Sequence, residues 1–237
     1  MKNFGKTSLM AMAMLLVMGI HHAQAQMEIP KTEQNFDFAI GMGESGTYSL
    51  ALSWNRTHGL FESKKFRLGY GLRFSSFGGS DLTYITAPAD LTANDNTIDT
   101  LFVSSPLTMG ISALANIQYQ FSPRFKAGFN IDVIGLGFGA ESQTTFTAVE
   151  NTGQFPTSVN ASPTGFNLLL GGDNDIGQIK SEFYVAYALS EKFWLRGGMD
   201  MTFSEYTTER TLTNDNDRFR YKAMLMFVAI SYNPFQN

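Results

Sequence analysis

The chain has no cysteine among its 237 residues. That excludes a disulfide framework, thiolate catalysis and a lipid attached through an N-terminal cysteine, so the fold must hold by packing and hydrogen bonds alone. Histidine is nearly as scarce, with only His21, His22 and His58. Positive charge is in deficit, 17 Lys and Arg against 21 Asp and Glu, which leaves no basic face for nucleic acid. Beyond Ile20 no run is apolar enough for a membrane-spanning helix. If such a chain meets a bilayer after export, it must do so as a closed barrel, because an open sheet leaves backbone polar groups bare in lipid.

The one long apolar run stands at the start. Lys2 and Lys6 precede the stretch from Leu9 to Ile20, and Ala23-Gln24-Ala25 supplies a small-x-small cleavage site. This is the layout of a cleavable signal peptide over residues 1–25, with an apolar part too short to span a bilayer comfortably. Its loss removes two lysines and no acid, moving the net charge from −4 to −6 and leaving His58 as the one histidine. Residues 26–34 then read as a flexible mature N-terminus and 35–237 as a single barrel domain.

What fills the remainder is alternation. Apolar residues take every second position over 36–42, 48–54, 66–74, 111–121, 125–133, 179–189 and 193–203, interrupted by Ser181 and Gly197. That is the period of a strand with two unlike faces. An eighth run, 219–233, is apolar on both faces around Met224 to Ile230, so its phase is open, and a bulge near Lys222 would account for it. The links alternate as well. Residues 122–124 and 190–192 are tight and 57–65 somewhat longer, whereas 80–108, 140–178 and 204–218 are long and rich in Asn, Asp, Thr, Ser and Gly; only 43–47 is short on that side. Short turns at one end and long polar loops at the other characterise a transmembrane barrel. The expected fold is therefore all-β: a single up-and-down antiparallel barrel of about eight strands.

Alternation alone does not say which face points inward, and a soluble sandwich or lipocalin-like barrel would share it. Two features favour polar residues inside. The polar face carries many small residues (Gly69, Gly71, Gly128, Ala186, Gly198), which suit a narrow lumen. Trp54, Phe66, Tyr119, Phe121, Phe125, Tyr187 and Phe193 gather at the short-link ends of the apolar face, as an interfacial girdle requires.

The signal peptide, the eight runs and the aromatic last strand together resemble the small outer-membrane barrels of the OmpX-like and OmpW-like group. The units Phe121-Ser122-Pro123-Arg124-Phe125-Lys126-Ala127-Gly128-Phe129-Asn130-Ile131-Asp132 and Ser190-Glu191-Lys192-Phe193-Trp194-Leu195-Arg196-Gly197-Gly198 look like the strand-turn-strand units of uncharacterised Bacteroidota barrels. The likeness is architectural and carries no catalytic motif. It implies a Gram-negative outer membrane as the location, with lipid, lipopolysaccharide and the barrel assembly machinery as partners. The sequence departs from the pattern at Pro234, and the terminal aromatic Phe235 is followed by Gln236 and Asn237.

Chemistry is thin. A lipid-modifying barrel needs a histidine base beside a serine nucleophile, and His58, in an expected turn, has no such serine near it in sequence. Neither catalysis nor a cofactor or metal is expected. Asn94-Asp95-Asn96, Asp173-Asn174-Asp175 and Asn214-Asp215-Asn216-Asp217 lack EF-hand spacing and read as turns, and the glycines of 135–139 lack phosphate-loop spacing. The lumen holds more. Arg73, Asp132, Glu182 and Asp200 fall at about one level, with Lys180 nearby and Arg196 lower. Charges in so narrow a space must pair, which predicts a network of Arg73, Lys180 and Arg196 with Asp132, Glu182 and Asp200. These expectations describe a structural or interaction barrel with a plugged polar lumen and long outer loops that contact an extracellular partner. A narrow channel or transporter for a small solute is the alternative, and a lipid-modifying enzyme or soluble lipocalin-like binder is less favoured.

Overall fold

The computed structural model describes residues 28–150 and 152–235. The expected signal peptide, 1–25, lies outside the described residues. Among the described residues thirteen antiparallel strands form one continuous sheet. They are β1 (Thr32–Gly43), β2 (Tyr48–Gly59), β3 (Phe66–Gly78), β4 (Leu82–Thr86), β5 (Thr100–Val103), β6 (Leu107–Ser122), β7 (Phe125–Phe138), β8 (Ser142–Thr147), β9 (Ser158–Pro163), β10 (Phe166–Leu168), β11 (Ile179–Ala188), β12 (Phe193–Thr208) and β13 (Arg218–Tyr232). A short helix, α1 (Ala89–Thr92), lies between β4 and β5.

The count of thirteen corrects the expected eight. The sheet closes through β1, β2, β3, β6, β7, β11, β12, β13 and back to β1. The other five strands lie in 80–108 and 140–178, segments whose composition reads as loops. Four of them close a second ring above the first: β12 pairs with β9, β9 with β8, β8 with β5, β5 with β4, and β4 with β13. The two rings share the β12–β13 hairpin. β10 lies above β11 along β7, so β10 and β11 form one line interrupted by an excursion at 169–178.

Local chemistry explains the tight links. Ser122 and Ser190 each open a link, and their hydroxyls accept the amides of Arg124 at 3.3 Å and Phe193 at 3.1 Å. A short hydroxyl that bonds the backbone two or three residues on reverses the chain at little cost. The short link at the other end turns through Ser45 and Gly46, both at positive φ.

The lower ring has its polar face inside. Arg73 is 1% exposed and Asp200 0%, whereas Met226 is 66% exposed and Leu52 56%. The girdle aromatics face outward at the short-link end, where Tyr119, Phe121 and Phe125 form a chain of contacts with ring centroids 4.9 and 5.4 Å apart.

The β12–β13 hairpin explains the ambiguous last run. Its register is unbroken from Phe193↔Tyr232 to Thr207↔Arg218, so there is no bulge at Lys222. The bulges lie between β6 and β7 instead. One of them leaves Val133 without a partner on β6, its carbonyl accepting the Leu169 amide at 2.9 Å instead, and inverts the faces of β7 above it, so that Leu136 and Phe138 point outward. Along β13, Met224, Met226, Val228 and Ile230 face outward, and Leu225, Phe227 and Ala229 are buried inside. Higher up, the same inner face carries Tyr206 and Phe219, and the outer face carries Glu205, Arg218, Arg220 and Lys222. Polarity thus reverses along one continuous hairpin near the Phe203–Lys222 pair. Above that level the interior is an ordinary apolar core, built of Phe77, Leu82, Tyr84, Leu101, Val103, Phe146, Val159, Tyr206 and Phe219.

β1 begins at Thr32, inside the segment expected to be flexible, and Glu33 is buried. With β1 that long, His58 has a strand partner in Thr32, so it lies in β2 and not in a turn. Its Nδ1 is 3.3 Å from Thr32 Oγ1.

Candidate functional site: the charged lumen of the lower ring

Strand alternation delivers the polar side chains to the lumen, and glycine makes room for the larger ones. A Cβ on Gly41 would stand 2.5 Å from Ser49 Oγ and 3.3 Å from Asp200 Oδ2. A Cβ on Gly128 would stand 2.5 Å from the Tyr184 hydroxyl.

The structure brings all six residues of the expected network into one set of contacts. Arg73 donates from Nη1 to Asp132 Oδ1 at 2.8 Å and from Nη2 to Asn130 Oδ1 at 2.6 Å. Glu182 lies among three cations: Arg196 at 3.1 Å, Arg73 at 3.3 Å and Lys180 at 3.8 Å. Lys180 donates to Asp200, whose Oδ2 also accepts from Ser49 Oγ at 2.7 Å. Thr202 bonds the other oxygen of Asp200 at 2.8 Å.

The set extends further than the sequence analysis reached. Arg196 joins Glu182 to Asp37, 2.5 Å from its Nη1, and its guanidinium lies 4.0 Å from the centroid of the Tyr184 ring. Nearer the short-link end, Lys126 donates to Glu33 at 2.5 Å and lies 4.2 Å from the Trp194 ring centroid, with Arg67 3.9 Å from the same carboxylate. Asp37, Arg67 and Lys126 stand in the polar phase of their runs, so the signal was present. They stand at other levels along their strands, and barrel tilt brings those levels together. Glu33 preceded the first recognised run and had no signal.

Charge in the lumen balances among the described residues. Five cations (Arg67, Arg73, Lys126, Lys180, Arg196) face five carboxylates (Glu33, Asp37, Asp132, Glu182, Asp200), all buried. Asn35, Asp37, Asn55, Asn116, Gln118, Lys126, Tyr184, Arg196 and Ser231 line a lumen cavity of about 10 Å³, roughly the room of one water.

The upper ring has polar anchors of its own. Asp99 bonds the Val149 amide at 2.8 Å and the Thr213 hydroxyl, tying three long connections together. The Tyr84 hydroxyl is 3.1 Å from Ser204 Oγ, and burial pushes its pKa above the usual phenol value. The excursion at 169–178 packs on the outer face of β12 and β13. Glu205 accepts from Arg218 Nε at 2.8 Å, Arg220 Nη2 at 2.9 Å and the Gly177 amide at 3.2 Å. Arg220 also donates to the Asp173 carbonyl at 3.1 Å, and Lys222 pairs with the Asp173 carboxylate.

The Asn and Asp clusters act as turns. Asn94 Oδ1 accepts the Asn96 amide, Asp175 Oδ1 accepts the Leu170 and Gly171 amides, and Asn214 and Asp215 sit at positive φ. Among the described residues no group of three His, Cys, Asp or Glu could hold a metal ion, and no helix is long and apolar enough to cross a membrane.

No family model matches the chain, and no curated protein does. Among solved structures it is similar to Neisserial surface protein A, at 7% identity and a TM-score of 0.36, over 85% of this chain and 94% of that one. It is also similar to the Ralstonia pickettii toluene transporter TbuX, at 12% identity and 0.27, over 86% and 78%. A Pseudomonas aeruginosa FadL homologue follows at 9% and 0.27, over 79% and 68%. At such scores the likenesses carry no argument, and the barrel stands on its own ladders and exposure pattern.

Proposed function

We propose that the chain is an outer-membrane barrel whose lower ring crosses the bilayer on eight strands, closed by its own charges, with the upper ring presented outside as a structural or interaction module. The observation that carries this reading is the reversal of polarity along β12–β13. Below Phe203–Lys222 the apolar face points out and ion pairs fill the inside; above it charges point out and an apolar core fills the inside. The lower surface suits hydrocarbon; on the upper one Glu205 and Arg220 lie under the excursion while Arg218 and Lys222 reach the surface, which suits water. The alternation of short and long links supports a periplasmic location for the short-link end, and residues 1–25 supply the export signal.

The lumen contacts support a plug over a conducting path, because opening that level exposes charges that are stable only when paired. The partners on this reading are outer-membrane lipid and lipopolysaccharide, the barrel assembly machinery during insertion, and an extracellular molecule at the upper ring; catalysis, cofactor and nucleic acid have no part. Expression with the leader, followed by separation of inner and outer membranes, tests location. The protein should sediment with outer membranes and change gel mobility on boiling. A soluble monomer in the periplasm would overturn the membrane reading. Steady conductance of refolded protein in planar bilayers would overturn the closed lumen and favour a narrow channel. An altered lipid A profile on deletion of the gene would argue for an enzyme.

A further inference from the structure

The two rings do not meet flush. β13 pairs with β1 as far up as Leu225, opposite Gly43, and with β4 only at Arg220 and Phe219. Tyr221, Lys222, Ala223 and Met224 therefore have a ladder partner on the β12 side alone. Beside them the wall is notched. The notch has a volume of about 620 Å³, bounded by the end of β1, the turn at 44–47 and β13, within the roughly 300–1,000 Å³ of small-molecule sites.

Its lining is divided by height. Met42, Met224 and Met226 form the lower edge, all exposed and continuous with the apolar belt. Thioether side chains are flexible and conform to an irregular apolar neighbour. Lys222 and Glu44 are the charged residues of the lining, one of each sign. Asp173 reaches Lys222 from the excursion and shares its charge. The free edge of β13 cannot face hydrocarbon, since unpaired backbone groups in lipid cost several kcal/mol each. The occupant must therefore offer hydrogen-bond partners at the edge, opposite charges at the rim and an apolar tail below.

We propose that this notch binds a zwitterionic, amine-bearing phospholipid, with its phosphate at Lys222, its amine at Glu44 and one acyl chain over Met42, Met224 and Met226. The inference rests on the membrane reading above. Because the chain has no cysteine, a single introduced one can be labelled uniquely. Met226→Cys in the notch and Leu136→Cys on the belt, three strands away, would carry a bimane fluorophore in phosphatidylcholine vesicles. The vesicles would be doped with phosphatidylethanolamine or phosphatidylglycerol bearing a nitroxide on the acyl chain. Phosphatidylethanolamine should be enriched at the notch label by about fivefold over the belt label, the ratio a single surface charge contact is worth. Glu44→Gln combined with Asp173→Asn, which leaves Lys222 as the one rim charge, should transfer the preference to phosphatidylglycerol, and Lys222→Gln should abolish preference for either lipid. Equal quenching at both sites, or a phosphatidylglycerol preference with both rim charges present, overturns the notch and leaves the membrane reading standing. No quenching at either label overturns both.

Discussion

Arg73 shows what a single lumen residue carries. Its guanidinium bonds Asp132 and Asn130, approaches Glu182, and donates to the Lys180 carbonyl at 3.1 Å. Replacing it leaves buried carboxylates without their cation, and removing one partner of a buried pair costs about 3–5 kcal/mol. Arg73→Leu should lower the urea stability of the vesicle-inserted barrel by that amount, followed by the gel mobility of the folded form. Arg73→Asp combined with Asp132→Arg should recover part of the loss, and a double variant no more stable than either single one would mean that the pair does not couple. Gly41 carries the opposite constraint, because a larger side chain there strikes Ser49 and Asp200. Gly41→Val should cost about 1–3 kcal/mol, as overpacking does, in the same unfolding measurement. Unchanged stability would show that the cluster can move aside.

At the scale of the element, the excursion at 169–178 is held to β12–β13 by charge. Bonding and charge from Lys222 hold the Asp173 carboxyl below its usual range. A lowered folded pKa contributes stability above the unfolded value, about 3.9, and that contribution is lost as pH falls through the folded value. The group is exposed, so the effect is local and modest. A fluorophore on Asn174→Cys should gain mobility as pH falls from about 5 towards 2, and Lys222→Met should remove that pH dependence while leaving the label mobile throughout. A label equally fixed at both ends of the range would mean that Arg218 and Arg220 hold the excursion alone.

On the scale of the whole molecule, two rings share one hairpin yet present opposite polarities outward. The upper ring is built around an apolar core, and on the proposed reading water surrounds it while the bilayer surrounds the lower one. Urea should therefore melt the upper ring first. Both tryptophans, Trp54 and Trp194, lie in the lower ring, so far-UV circular dichroism should lose a first step while tryptophan emission stays constant. A single coincident transition would mean that the hairpin couples the rings into one cooperative unit.

The eight alternating runs were legible because each strand has two unlike faces, and a period of two survives without any knowledge of neighbours. The meeting of Arg73, Asp132 and Glu182 was legible for a related reason: charges on the inner phase of a narrow ring have nowhere else to go. Val133 was not legible, because a bulge depends on the partner strand and leaves no mark on its own chain. Nor was Glu33, whose buried charge is matched by Lys126, 93 residues away, and by Arg67. The five short strands drew on residues such as Leu82, Tyr84, Leu101 and Phe146, which looked like apolar residues scattered through polar loops. They become strands only when each supplies the other's hydrogen bonds and core, an arrangement that no local period encodes. By itself the sequence determined the alternation, the paired charges and the absence of thiol chemistry. The tertiary structure alone decided that the long loops close a second ring, and that β13, apolar on both faces, turns Met224, Met226, Val228 and Ile230 outward and Leu225, Phe227 and Ala229 to the interior. That decision needed a partner strand in unbroken register, since a strand without one has two faces and no inside.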